Sequence, residues 1–223
     1  MRKEKSNKSY ENGLVFKGII LLIVLAIISP NIRSAFFAAA YNTLGDYNIK
    51  KKEYSKAISN FSDAIKFNPK SAVAYNGRGI AYAVKSEYDQ ANSDFNKAIE
   101  LDQKFAEAHY NIGKLYYEKG EYAEAISKFN DAIELNQKYI WAHNMRGLAY
   151  KEKGQYDHAI SDFNMVIELD PASSMAYYNR GLAYYLKEEY KKAWADVSKA
   201  QILGYQVHPG FLNWLYLRSY KEY

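Results

Sequence analysis

One spacing runs through most of the chain and constrains its fold more than any other feature. A glycine recurs every 34 residues, and a tyrosine, an alanine and a phenylalanine recur with it at fixed offsets. The columns are Gly45, Gly79, Gly113, Gly147 and Gly181; Tyr54, Tyr88, Tyr122, Tyr156 and Tyr190; Ala57, Ala91, Ala125, Ala159 and Ala193; and Phe61, Phe95, Phe129 and Phe163, with Val197 ending the last. Chance does not register several columns over five copies, so the sequence predicts five tandem units.

Each unit is predicted to be two helices joined by a turn. In the second unit, Tyr75, Gly79 and Tyr82 share one stripe of the first helix, and Ala91 and Phe95 share a stripe of the second. Small residues let the helix backbones approach, and the aromatic rings fill the space beside them. One unit cannot bury both stripes alone, so neighbouring units must stack. The predicted units are residues 38–71, 72–105, 106–139, 140–173 and 174–207.

The composition agrees with an all-α fold and excludes several kinds of site. Glycine and proline, with 12 and 4 residues among 223, are scarce, and cysteine is absent. Disulfide frameworks, cysteine-based zinc sites and cysteine nucleophiles are therefore excluded. Residues 1–17 contain five basic and two acidic residues, which is +3 of the net charge of +5. The repeats are thus nearly neutral, and nucleic-acid binding is not expected.

The repeated segments resemble a known family. AYNGRGIAYAVKSEYDQANSDFNKAIELD and AHNMRGLAYKEKGQYDHAISDFNMVIELDP are similar to tetratricopeptide repeats. The resemblance implies a right-handed α-solenoid that serves as a protein-binding scaffold, without indicating any one partner.

Gly120 and Gly154 stand at turns within units, where a helix C-cap is expected. Residues 208–223 are predicted to form a capping helix and tail, because Pro209 suits the first turn of a helix.

An apolar segment precedes the repeats. Residues 14–32, after a basic tail at residues 1–13, are predicted to be a transmembrane signal-anchor, although Leu14 to Ile28 is shorter than the roughly 20 residues that a spanning helix prefers. The basic residues before this segment predict a cytoplasmic N-terminus, with the repeats on the extracytoplasmic side. Two alternatives remain. A cleaved signal peptide would leave a soluble periplasmic or secreted adaptor, and the segment could instead be a buried helix of a soluble fold.

The family resemblance also implies a binding surface, because the inner face of each first helix lines the concave groove of such solenoids. Tyrosine and tryptophan offer large, rigid contact area, so we expect a partner protein segment with apolar side chains across units three to five. Asparagine amides are expected to hold its backbone. The alternative is that the tyrosines only pack between helices. The predicted groove residues are Asn42, Asn76, Ile80, Tyr110, Lys114, Tyr117, Trp141, Asn144, Leu148, Tyr178, Leu182 and Tyr185.

No catalytic constellation accompanies this surface. His109 and His143 lie 34 residues apart and are expected to face each other, but no third ligand for a metal ion is evident. No nucleotide-binding loop, zinc-protease motif or nucleophile elbow is present. The sequence therefore predicts a scaffold that is not an enzyme and has no cofactor or metal. A self-assembling structural element is the alternative, with homo-oligomer contacts through the apolar and aromatic C-terminal helix around Trp214 and Leu217.

Overall fold

The computed structural model describes residues 29–219, which form eleven α-helices and contain no β-strand. Each helix packs against the next along the chain, and the first helices of neighbouring units also touch each other. The predicted all-α solenoid of stacked helix pairs is thereby confirmed. The helices are α1 (Pro30–Lys50), α2 (Tyr54–Phe67), α3 (Ala72–Val84), α4 (Tyr88–Leu101), α5 (Ala106–Glu118), α6 (Tyr122–Leu135), α7 (Ile140–Glu152), α8 (Tyr156–Leu169), α9 (Ser174–Leu186), α10 (Tyr190–Ile202) and α11 (Pro209–Ser219).

Helix α1 is longer than its counterparts. It has 21 residues, whereas α3, at the same place in the second unit, has 13. Pro30 occupies the start of the helix, and Ser29 caps it by accepting a hydrogen bond from the Ile32 amide at 3.4 Å. The last three residues of the predicted anchor therefore lie in α1 and Ser29 precedes them, while residues 14–28 and the basic tail lie outside the described residues. No helix within residues 29–219 is both long and apolar enough to cross a membrane.

The phenylalanine column forms the core of the solenoid. Phe61, Phe95, Phe129 and Phe163 are at most 1% exposed. A Cβ atom added to Gly79 would lie 2.6 Å from the ring of Phe95, and one added to Gly113 would lie 2.6 Å from the ring of Phe129. No residue larger than glycine fits there without displacing a buried ring. This explains why glycine and phenylalanine recur together.

The turn inside each unit contains one residue in the left-handed region. Its φ lies between 59° and 77° in all five units. The predicted C-caps at Gly120 and Gly154 are confirmed, while the other three units adopt the same conformation with a residue that has a side chain. The five residues are Lys52, Ser86, Gly120, Gly154 and Glu188.

An arginine ties three helices together in the second unit. Arg78 of α3 donates to Asp94 of α4 from Nε at 2.7 Å and from Nη2 at 2.8 Å. Its Nη1 donates to the Ser62 hydroxyl of α2 at 3.1 Å. The fourth and fifth units repeat this bridge through Arg146 and Arg180. The first and third units do not, because apolar residues occupy the arginine position.

A helix follows the fifth unit and covers its end. Leu212 and Leu215 of α11 pack against Ala193 and Val197 of α10 in one buried cluster. The connecting segment returns along α9, where the Tyr205 ring stacks on Tyr178. The C-terminal end of the solenoid thus has its own packed layer.

Candidate functional site

Two predicted groove asparagines tie neighbouring first helices together. Asn76 is only 8% exposed, and its Oδ1 accepts a hydrogen bond from Asn111 Nδ2 at 2.9 Å. Asn144 Oδ1 accepts one from Asn179 Nδ2 at 3.4 Å. Both pairs lie 35 positions apart, so the same link recurs between α3 and α5 and between α7 and α9. These amide oxygens are therefore already engaged within the chain.

Asn42 lacks this link. The residue 35 positions later is Gly77, which has no side chain to donate, and the buried Asn42 Oδ1 has no hydrogen-bond partner within the described structure. Glycine is required there because a Cβ would lie 2.5 Å from the Phe61 ring. The open amide thus results from the packing of the neighbouring core.

The predicted groove tyrosines of the third unit are partly packed. Tyr110 lies against Phe129 and Tyr139, with ring centroids 5.8 and 5.2 Å away. Burial raises the pKa of the Tyr110 hydroxyl. The exposed Lys114 places its ammonium 5.9 Å from the centroid of the Tyr110 ring, and the Tyr117 ring lies edge-on against a tyrosine ring of α6. Each ring keeps only part of its surface for a partner.

The fifth-unit tyrosines contact the C-terminal segment. Tyr178 stacks on Tyr205 with 4.2 Å between ring centroids. Tyr185 meets Phe211 and Trp214 edge-on at 5.7 and 5.5 Å. Both rings therefore pack against the C-terminal segment, as expected if the tyrosines only pack between helices. The aliphatic members of the predicted set, Ile80, Leu148 and Leu182, are half-buried.

Among the aromatic residues of the predicted groove, Trp141 differs from the others by its exposure. Trp141, near the start of α7, is 63% exposed, and Met175, 34 positions later on α9, is 50% exposed. A cavity of about 230 Å³ lies beside both side chains. Its walls come from the starts of α7 and α9 and from the end of α8. The lining residues are Ile140, Trp141, Asn144, Val166, Asp170, Ser173 and Met175.

The sequence prediction reached only part of this cavity. Met175 follows from Trp141 by the repeat spacing alone, so the pattern contains that signal. Val166 and Asp170 come from the second helix of the fourth unit and the loop after it, which no first-helix pattern indicates. Val166 is 2% exposed, and Asp170 adds a carboxylate to the lining. The cavity can therefore hold an apolar side chain of a partner against its apolar lining, next to one acidic group.

His109 and His143, which lie 34 residues apart, are each close to a carboxylate. His143 Nδ1 lies 3.0 Å from Asp162 Oδ1, and its Nε2 lies 3.0 Å from the Gln137 carbonyl oxygen. Asp162, which is 3% exposed, also accepts two hydrogen bonds from Arg146. His109 Nδ1 lies 3.4 Å from Asp131. Among residues 29–219, no group of three or more side chains is suited to hold a metal ion.

Family models match the repeats directly. A model described as TPR repeat matches residues 84–120, 113–154 and 147–187, and one described as tetratricopeptide repeat matches residues 38–71. Together they cover more than half of the chain. The chain belongs to the tetratricopeptide repeat family. No curated protein matches it at a significant level.

Solved structures support this assignment. YrrB, described as a TPR protein with an unusual peptide-binding site, is 27% identical, with a TM-score of 0.60 over 81% of this chain and 90% of that chain. MamA is 29% identical, with a TM-score of 0.64 over 71% of this chain and 93% of that chain. Pseudomonas aeruginosa PilF is 20% identical, with a TM-score of 0.72 over 78% and 79% of the two chains, and supports the fold alone.

Proposed function

We propose that the chain is a membrane-anchored scaffold that holds a segment of a partner protein in the groove of its tetratricopeptide repeats and acts by binding, without catalysis. The observation that carries this proposal is Trp141, an exposed tryptophan beside an apolar cavity. Tryptophans in such positions concentrate binding energy at protein interfaces. Tetratricopeptide repeats generally mediate protein–protein interaction, and the similar protein YrrB is described as binding a peptide.

The cavity suggests how the segment binds. An aliphatic or aromatic side chain of the partner enters the space between Trp141 and Met175, and the two side chains close over it. A basic residue next to that side chain pairs with Asp170. Val73, Val84 and Leu186 add exposed apolar surface at other positions of the same helix faces. The partner segment is therefore apolar at intervals, with at least one positive charge.

The binding is tested with peptides selected from a displayed random library on the full-length chain in detergent micelles. Trp141→Ala is expected to weaken the selected peptides by roughly 5-fold to 150-fold, the effect of removing an interface hot spot. Ile202→Ala is the matched control, because Ile202 is 79% exposed on a second helix, away from the cavity. Peptides that bind both variants as tightly as the unsubstituted chain would refute the proposed site.

The anchoring is proposed from the sequence of residues 1–32. The apolar segment holds the chain in the cytoplasmic membrane, and the basic tail before it keeps the N-terminus inside. The native protein is then expected to resist alkaline extraction from membranes, and its repeats to be digested by protease in intact spheroplasts. A mature N-terminus beyond Ile28 would favour the cleaved periplasmic form, and protected repeats would reverse the orientation.

A further inference from the structure

Helix α1 has an exposed apolar stripe. Ile32, Phe36, Leu44 and Tyr47 are 61%, 50%, 47% and 55% exposed. At about 100° per residue, these four side chains fall within an arc of about 120°. Of the buried residues of α1, Ala38 and Gly45 lie on the opposite side, and Asn48 lies between, about 40° from Leu44. The helix is therefore apolar on the side that faces the solenoid and on the side that faces away from it.

In the second unit, the corresponding side of the first helix is covered. Ala81, at the position of Tyr47, is fully buried in one cluster with Phe61 of the preceding unit. Arg78, at the position of Leu44, bonds to Ser62 of the same preceding helix. No helix within the described residues precedes α1. Its stripe is thus the surface on which a preceding helix would lie, and it forms the N-terminal end of the solenoid.

The chemistry of this end differs from that of an ordinary solenoid terminus. A terminal repeat needs a polar outer face to remain soluble. The stripe instead combines aromatic and aliphatic side chains with flanking positive charges, Arg33 near its start and Lys51 just after its end. The Lys51 ammonium lies 5.7 Å from the centroid of the Tyr47 ring. Apolar groups bordered by basic groups are typical of helices that lie in the surface of an anionic membrane.

The start of α1 permits that placement. Ser29 has φ −54° and ψ 145°, an extended conformation, and the residue before a proline is disfavoured in a helix. The chain therefore leaves the helical path at Ser29, and α1 begins after it at Pro30. Because of this break, α1 can run along a membrane while the preceding segment enters it. From Ile32 to Tyr47 the stripe extends about 22 Å.

We propose that the α1 stripe lies on the lipid surface beside the anchor, with Phe36 and Tyr47 among the head groups and Arg33 and Lys51 against anionic phosphates. The inference rests on the proposed anchoring, which keeps this end of the solenoid at the membrane. The first unit then becomes a second, in-plane attachment. It fixes the direction in which the groove leaves the membrane.

The absence of cysteine allows a direct test. Single variants Phe36→Cys, Tyr47→Cys and Asp46→Cys of the full-length chain are labelled with an environment-sensitive fluorophore. They are reconstituted into phosphatidylcholine vesicles that contain phosphatidylglycerol and a spin-labelled lipid. Tyr47 is decisive because it lies about 26 Å along α1 from Pro30, beyond lipid contact if the helix stands upright. Asp46 is its matched control, since it is exposed and points about 100° away.

The expected result is strong quenching by the spin-labelled lipid at residues 36 and 47, and weak quenching at residue 46. Arg33→Glu combined with Lys51→Glu should reduce the quenching at residue 47, as should vesicles without phosphatidylglycerol. Vesicles that carry the chain but leave residue 47 open to aqueous iodide would overturn the docking alone. A residue 47 shielded from both quenchers would overturn it in favour of cover by protein. Failure of the chain to float with vesicles would overturn the anchoring, and the docking with it.

Discussion

Arg78 holds Asp94 through two parallel hydrogen bonds, from Nε at 2.7 Å and from Nη2 at 2.8 Å. The arginine and aspartate side chains are 21% and 8% exposed. A bidentate pair of this kind fixes the relative orientation of the two groups as well as attracting them. Because the third nitrogen reaches Ser62 in the preceding unit, the pair also sets how two units stack.

The first unit has the same two positions without an ion pair. In the first unit, the uncharged Leu44 and Asn60 occupy the two positions. Arg78→Leu is expected to lower the free energy of unfolding by about 3 kcal/mol, because it leaves the buried Asp94 carboxylate without its cation. Adding Asp94→Asn should restore at least about 1 kcal/mol. Urea unfolding followed by circular dichroism measures both effects. Strictly additive losses would show that the two residues are not coupled.

Asp162 is predicted to contribute more to stability than the aspartate at the same position of the fifth unit. It bonds to both Arg146 and His143, whereas Asp196 bonds to Arg180 and, within residues 29–219, to no histidine. Asp162→Ala should therefore destabilise the chain by about 1 kcal/mol more than Asp196→Ala, since the buried His143 ring also loses its hydrogen-bond partner. Asp157→Ala is the control, because Asp157 is 81% exposed in its pair with Lys187 and should have an effect below about 1 kcal/mol. Equal losses at residues 162 and 196 would contradict a contribution from His143.

The left-handed residue in the turn of the second unit predicts a stabilising substitution. Ser86 has φ 62°, at the position where the third and fourth units have glycine. Ser86→Gly is expected to raise the free energy of unfolding by about 1 kcal/mol, since a side chain is disfavoured in the left-handed region. Ser59→Gly, at an exposed site inside α2, should lower it instead. Thermal melting of the two variants distinguishes a specific effect of the turn from a general effect of glycine.

Two half-buried tyrosines of the third unit, Tyr110 and Tyr139, predict a loss of stability in alkali. Burial raises the pKa of Tyr139 and that of Tyr110 above the ordinary value of 10.0. Above pH 10 the unfolded chain loses these protons before the folded chain does, so the free energy of unfolding falls as pH rises. Replacing both residues with phenylalanine should flatten this decline. Tyr47→Phe, at an exposed site, should leave it unchanged. A decline that is the same in all three proteins would exclude these tyrosines as its cause.

The repeat spacing predicts the core and the turns because both depend on contacts inside one unit. The fit of Phe95 against Gly79 is visible as two registered columns. The arginine bridges were missed, although Arg78 and Asp94 stand 16 residues apart and the same spacing occurs in two other units. The position of Tyr205 was not predictable, since it depends on the path of a connection without any repeat.

Two aromatic residues of the groove are expected to have opposite roles. Tyr178 contacts a segment outside the repeats, whereas Trp141 is exposed. Tyr178→Ala should lower the melting temperature, because its ring stacks at 4.2 Å on Tyr205 and packs against the cap cluster. Trp141→Ala should leave the melting curve nearly unchanged, because the ring is 63% exposed and removing it opens no buried space. Thermal melts of the two variants, followed by circular dichroism, provide the comparison. A melting temperature lowered as much by Trp141→Ala as by Tyr178→Ala would make Trp141 a packing residue and remove the main support for the proposed binding site.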